Sequence, residues 1–227
     1  ADAETIEWIM SDIPDLILVI DFGHMIKEPL LNMAPLGCIN IHPSMLPAYR
    51  GSAPVQRAIM DGLKETGVTI FRLDEGMDSG PILSQIPVII SDEDDTASLL
   101  IKTCSAGCEK LLEFLLHIPS ENWEFIPQAE AGASTAPKID KSEGKIEWDE
   151  SSINILNKIR ALSVSPGTYC EHNGKRLRIH KALSVFGCDS PGKLTGIEKG
   201  FPVIACGKGF LKLIEVQPEG KKVQKAD

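Results

Sequence analysis

Aromatic residues are scarce in this chain, at 5% of 227 residues, so its cores must be built mainly from aliphatic side chains. No run of about 18 apolar residues occurs, which excludes an expected membrane-spanning helix. Six cysteines, at 38, 104, 108, 170, 188 and 206, include no Cys-x-x-Cys pair. Scattered through segments that read as strand or helix interiors, they are expected to be reduced and buried. Cys104 and Cys108 stand one helical turn apart. Zinc, however, takes about four ligands, and neither a histidine nor a second cysteine pair lies near them in sequence, so no metal is expected. The start, Ala1-Asp2-Ala3-Glu4-Thr5-Ile6-Glu7, lacks the basic and apolar regions of a signal peptide. A cytoplasmic protein is the resulting expectation.

What is present begins with charge. The net charge of −9 divides unevenly: residues 1–137 hold 7 Lys and Arg against 21 Asp and Glu, a net of −14, whereas residues 138–227 carry a net of +5. A basic second half suits a polyanionic partner, while a salt-bridged surface accounts for the same split.

Residues 15–20 form a short unbroken apolar run, the pattern of a strand covered on both faces in a parallel sheet. The pattern continues with a short helix over 27–33, a strand over 37–42, a helix over 53–63 and strands over 68–73 and 81–90. The acidic cluster at 92–95 supplies N-caps for a helix over 97–116. Residues 123–145 lack periodicity and are rich in Ala, Gly, Ser, Thr and Pro, as in a linker. A helix over 151–162 precedes short alternating runs separated by turns such as Asn173-Gly174, which predict a small barrel. The expected domains are 1–128, a linker at 129–150, and 151–227.

The chemistry is concentrated at the end of the second strand. Alternation points Asn40 and His42 to one face, placing a carboxamide that donates to a carbonyl oxygen beside a group that carries a proton. A carboxylate candidate follows in the Gly-rich turn Glu75-Gly76-Met77-Asp78-Ser79-Gly80. Taken singly, His42 and Asp78 are more readily read as ordinary turn residues, and only the two segments together favour a site.

The pairing of Asn40-Ile41-His42-Pro43-Ser44-Met45-Leu46-Pro47-Ala48-Tyr49-Arg50-Gly51 with Thr66-Gly67-Val68-Thr69-Ile70 and Gly76-Met77-Asp78-Ser79-Gly80-Pro81-Ile82-Leu83 closely resembles the 10-formyltetrahydrofolate-dependent formyltransferases. The run Arg50-Gly51-Ser52-Ala53-Pro54-Val55-Gln56-Arg57 is most similar to the branch that acts on methionyl-tRNA. Ala136-Pro137-Lys138-Ile139, Gly144-Lys145-Ile146-Glu147-Trp148 and Ile159-Arg160-Ala161 agree. The resemblance covers about residues 15–225.

The resemblance implies an α/β, Rossmann-like formyltransferase domain followed by an OB-like β-barrel. In the family the strand at 15–20 lies in mid-sheet after earlier βαβ units, so a chain beginning here is expected to leave a sheet edge and apolar surface uncovered. Asp21, at the end of that strand, stands where relatives line the folate pocket, and Met45 replaces a usual leucine at similar volume.

The resemblance also implies roles. The α-amino group of initiator methionyl-tRNA attacks the formyl carbon of 10-formyltetrahydrofolate. Asn40 and His42 donate to the oxyanion, and Asp78 orients His42 and takes a proton. Ser44, Met45, Leu46 and Pro47 match the folate-contacting loop. Arg50 reaches a phosphate or a folate carboxylate, or pairs with an acidic neighbour. Lys175, Arg176, Arg178 and Lys181 form a basic stripe for the tRNA backbone, though a solvated strand face explains them equally. The expected partners are tRNA and folate, with no membrane, no metal and a monomeric state. The alternatives are a formyltransferase acting on a sugar amine or purine precursor, a 10-formyltetrahydrofolate hydrolase, and a non-catalytic nucleic-acid-binding fragment.

Overall fold

The computed structural model describes residues 3–20, 25–117 and 123–227. Asp21 lies outside the described residues. The chain divides into two compact units: residues up to Pro54 with Glu65–Ile89 and Leu100–Lys138, and Val55–Lys64 with Ile90–Leu99 and Ile139–Asp227.

The first unit is built on a four-stranded sheet in the order β1(Ile17–Val19), β2(Cys38–His42), β3(Glu65–Arg72), β4(Ile82–Ile89). The β1–β2 pair is parallel and the other two are antiparallel, so the expected parallel pattern holds only at one edge. β1 is that edge, with Leu18 and Ile20 exposed at 43% and 49%, rather than a strand covered on both faces. A short apolar run looks the same in an edge strand and in a buried one, which is why the pattern misled.

Ile39 and Ile41 of β2 pack with Val68 and Ile70 of β3 and with Leu111 of α3(Thr96–Leu116), forming the core on one side of the sheet. Gly107 allows the helix to come this close, since a Cβ there would lie 2.5 Å from Ile41 Cγ2. A helix α1(Ala3–Ser11), which the sequence pattern did not predict, precedes β1. The helix expected over 27–33 is only the 3-10 turn Leu30–Asn32, where Pro29 follows a cis bond. Helix α2(Pro54–Met60) follows the motif loop, with its proline at a position that needs no donor.

The second unit centres on an antiparallel sheet, β5(Thr168–His172), β6(Lys175–Val185), β9(Phe210–Pro218), β8(Phe201–Ala205) and β7(Leu194–Glu198), with β10(Gln224–Lys225) on β9. Register shifts between Ile179 and Ala182 mark irregularities of the kind that bend a strand into a curled, barrel-like sheet. Ile155 and Ile159 of α4(Ser152–Ala161) pack on Ile179, Leu211 and Leu213.

Ser151 caps α4 by accepting from Asn154 N. At the start of α3, Asp95 Oδ1 accepts from Ser98 N at 2.9 Å, so one member of the acidic cluster is the expected cap. Arg160 donates to the carbonyls of Ser91, Asp92 and Asp94 and fastens α4 to the turn before α3. Cys38, Cys170 and Cys206 are buried, but Cys108 and Cys188 are exposed, against expectation. Helical periodicity alone did not reveal which side of α3 faces the sheet.

Candidate active site

Strand β2 carries Asn40 and His42 on the face opposite Ile39 and Ile41, and the register sets them across from Phe71 and Thr69. His42 is 5% exposed, with its ring edge against Phe71 at a centroid distance of 6.3 Å. Nε2 lies 3.0 Å from the carbonyl oxygen of Tyr49. A carbonyl only accepts, so Nε2 carries the hydrogen of this contact. Nδ1 faces Asp78 Oδ2 at 3.7 Å. The same carboxylate oxygen accepts from Gly51 N at 2.8 Å. Sheet and loops thus bring His42 and Asp78 together. Asn40 is half-buried, and among the described residues no partner meets its carboxamide.

The loop at 44–47 is tied to the sheet by its own polar groups. Thr69 Oγ1 donates to Ser44 O at 2.6 Å and accepts from Leu46 N, while Gln85 Nε2 donates to Leu46 O at 2.7 Å. Ser44 is fully buried, and its hydroxyl donates to Ala48 O at 2.7 Å. Leu46 is also buried. Met45 and Pro47 are the partly exposed members of the loop. Gly67 makes room for Met45, since a Cβ at that position would overlap its sulfur.

Arg50 is taken up within the protein. Its Nε and Nη2 donate to Gln128 Oε1 at 3.1 and 2.8 Å, and Glu130 stands 3.8 Å away. Gln128, Tyr49 and Gly51 therefore belong to the site, although sequence reasoning missed them. Tyr49 and Gly51 lie in the quoted motif but act through backbone groups that side-chain types do not reveal, and Gln128 sits in an aperiodic segment that carries no pattern.

In the second unit, Arg176, Arg178, Gln217, Pro218, Glu219 and Gly220 line a cleft of about 240 Å³. Arg176 stacks on Tyr169 at 3.9 Å. Lys175 alternates to the other pleat of β6, and Lys181 follows the register shift, so the four cations do not form one line. Among the described residues, no group of three or more potential ligands gathers for a metal, and no helix is long and apolar enough to cross a membrane.

A four-stranded α/β sheet carries this cluster at a strand end, and a small antiparallel β-unit follows it in the chain. Residues 1–115 match the formyl transferase family, and residues 138–227 match the formyl transferase C-terminal domain. The chain belongs to the formyl transferase family. It is 41% identical over 214 residues to the methionyl-tRNA formyltransferase of Kosmotoga olearia, covering 92% of this chain and 68% of that one. Among solved structures it resembles HypX from Aquifex aeolicus in complex with tetrahydrofolic acid (TM-score 0.74, 20% identity, 98% of this chain and 39% of that one). It also resembles WlaRD, a sugar 3N-formyl transferase (TM-score 0.70, 21% identity, 96% and 82%).

Proposed function

We propose that this enzyme transfers the formyl group of 10-formyltetrahydrofolate to the α-amino group of initiator methionyl-tRNA in the cytoplasm. The relative at 41% identity supports this acceptor over a sugar amine, because the sugar-modifying neighbour shares only 21%. The observation that carries the chemistry is the placing of His42 Nδ1 at 3.7 Å from Asp78 while Nε2 is held by the Tyr49 carbonyl.

The free amine attacks the formyl carbon, a new C–N bond forms, and the carbonyl oxygen gains negative charge. Asn40, with its carboxamide free of described partners, donates to that oxygen. Because Nε2 of His42 is committed to Tyr49, oxyanion stabilisation falls to Asn40, and His42 with Asp78 handles the proton. The proton shed by the amine passes to Nδ1, with the Asp78 carboxylate stabilising the ring that receives it. The C–N10 bond then breaks, and N10 takes a proton. An α-amino group has a pKa near ~7.7 to 8.0, so a nearby acceptor raises the fraction that reacts.

Folate meets the exposed members of the loop, Met45 and Pro47, while Ser44 and Leu46 shape that loop from below. We assign catalysis to residues 1–128, a connecting segment to 129–150, and tRNA backbone contact to residues 151–227 through Arg176 and Arg178. Lys175 and Lys181 add charge nearby. The full-length protein supplied with 10-formyltetrahydrofolate and, in parallel, Met-tRNA, an amino-sugar nucleotide and glycinamide ribonucleotide is expected to formylate Met-tRNA. Formylation of another acceptor, or hydrolysis alone, overturns the assignment.

A further inference from the structure

Two residues other than glycine hold left-handed backbone conformations beside the imidazole: Tyr49 at φ 60 and Asp78 at φ 51. Such conformations cost free energy and persist where surrounding contacts impose them. Here both are held from the segment around 128–134. Ser134 Oγ accepts from Tyr49 N at 2.9 Å, and Ser134 O accepts from Arg50 N at 2.9 Å. Gln128 Nε2 donates to the carbonyls of Asp78 and Gly80, both at 2.8 Å, while its Oε1 accepts twice from Arg50.

A glutamine carboxamide has two donor hydrogens and an oxygen with two acceptor sites, and here all four are used. Its orientation is also unambiguous, because the Arg50 guanidinium only donates and the two carbonyls only accept.

We propose that Gln128 is a positioning residue for formyl transfer. By holding the Asp78 and Gly80 carbonyls against Arg50, it keeps the turn in its left-handed form, with Asp78 Oδ2 on the Gly51 N–H and facing His42 Nδ1. The inference rests on the role given to Asp78 above. Gln128 has no part in the bond-making steps and acts only through that carboxylate. Without it, the turn relaxes toward commoner backbone angles and the carboxylate leaves the ring.

The test compares wild type, Gln128→Ala, Gln128→Glu, Asp78→Asn and the double variant Gln128→Ala/Asp78→Asn in the full-length protein. The readouts are kcat, KM for folate and tRNA, and thermal unfolding. Gln128→Ala is expected to lower kcat about 10- to 100-fold, the scale of a misplaced catalytic group, with KM values little changed. Gln128→Glu keeps the acceptor that Arg50 needs but cannot donate to the carbonyls, so it is expected to fall with the alanine variant. In the Asp78→Asn background, Gln128→Ala is expected to cost nothing more, because both changes remove one effect.

A Gln128→Glu enzyme as fast as wild type, or an undiminished further loss in the double variant, overturns the proposal. Should the alanine variant fail to fold, Gln128→Glu with the double variant Gln128→Glu/Asp78→Asn closes the same cycle. Full turnover in Asp78→Asn marks failure of the Asp78 assignment itself. A slow Asp78→Asn with a fast Gln128→Glu marks failure of the clamp alone.

Discussion

At the scale of single residues, the decisive contact is one that His42 makes with a backbone carbonyl. The Tyr49 oxygen occupies Nε2 and leaves Nδ1 facing Asp78, so in the proposed mechanism the ring meets the proton and the carboxylate on the same side. Replacing His42 with alanine, or Asp78 with asparagine, is expected to lower turnover by at least ~100-fold, the lower range for a lost proton-transfer group. Folate affinity should stay near wild type, as measured by equilibrium binding. Asn40→Ala removes the proposed oxyanion donor and is expected to cost ~100- to 1000-fold in kcat. Unchanged turnover in a single-turnover assay would take Asn40 out of the mechanism. Alternation along β2 made Asn40 and His42 legible as a pair, and motif resemblance added Asp78. Gln128 was not legible, because it reaches Asp78 across 50 residues of sequence from a segment without a period.

Among the elements, α3 and α4 were read closely because their signals are local, whereas α1 was not predicted and the helix expected over 27–33 is a 3-10 turn. Helix α4 starts after Ser151, whose side chain caps it, and its Ile155 and Ile159 repeat at helical spacing. Ile155 is fully buried, so Ile155→Ala is expected to cost about 2 to 5 kcal/mol of stability in denaturant unfolding. The edge position of β1 was expected from the resemblance but not legible in the strand's own pattern, since partner strands, not its own residues, decide which faces are covered.

An ion pair gives a pH-dependent counterpart. Arg57 donates to both carboxylate oxygens of Glu143 at 2.5 and 3.0 Å and holds its pKa below the ordinary glutamate value. A lowered folded-state pKa means that the stabilisation is present above the unfolded value and lost as pH falls through the folded one. Glu143→Gln is therefore expected to lower the thermal midpoint at neutral pH, with the difference from wild type vanishing in acid.

For the whole molecule, charge and exposure lead to two measurements. The cleft formed by Arg176 and Arg178 belongs to the half of the chain that carries +5. Arg176→Ala with Arg178→Ala is expected to weaken tRNA binding and flatten its salt dependence by about one unit of slope per lost phosphate contact. An unchanged slope would leave the cleft structural.

Thiol labelling reads the fold directly. Cys108 and Cys188 are exposed and should be modified first, whereas burial pushes the Cys206 thiol up to about 11 and raises those of Cys38 and Cys170. Mass spectrometry of partly labelled protein should find the last three protected until unfolding.

By itself the sequence determined helices α2, α3 and α4, the acidic cap of α3, the alternation that sets Asn40 beside His42, and the family to which the chain belongs, since each of these is written in short spacings or contiguous motifs. Tertiary structure alone decided how closely Asp78 approaches His42, which ring nitrogen faces it, and that Gln128 of an aperiodic segment bonds the turn. Those depend on strand register and on loops closed over long stretches of chain, which no local pattern encodes.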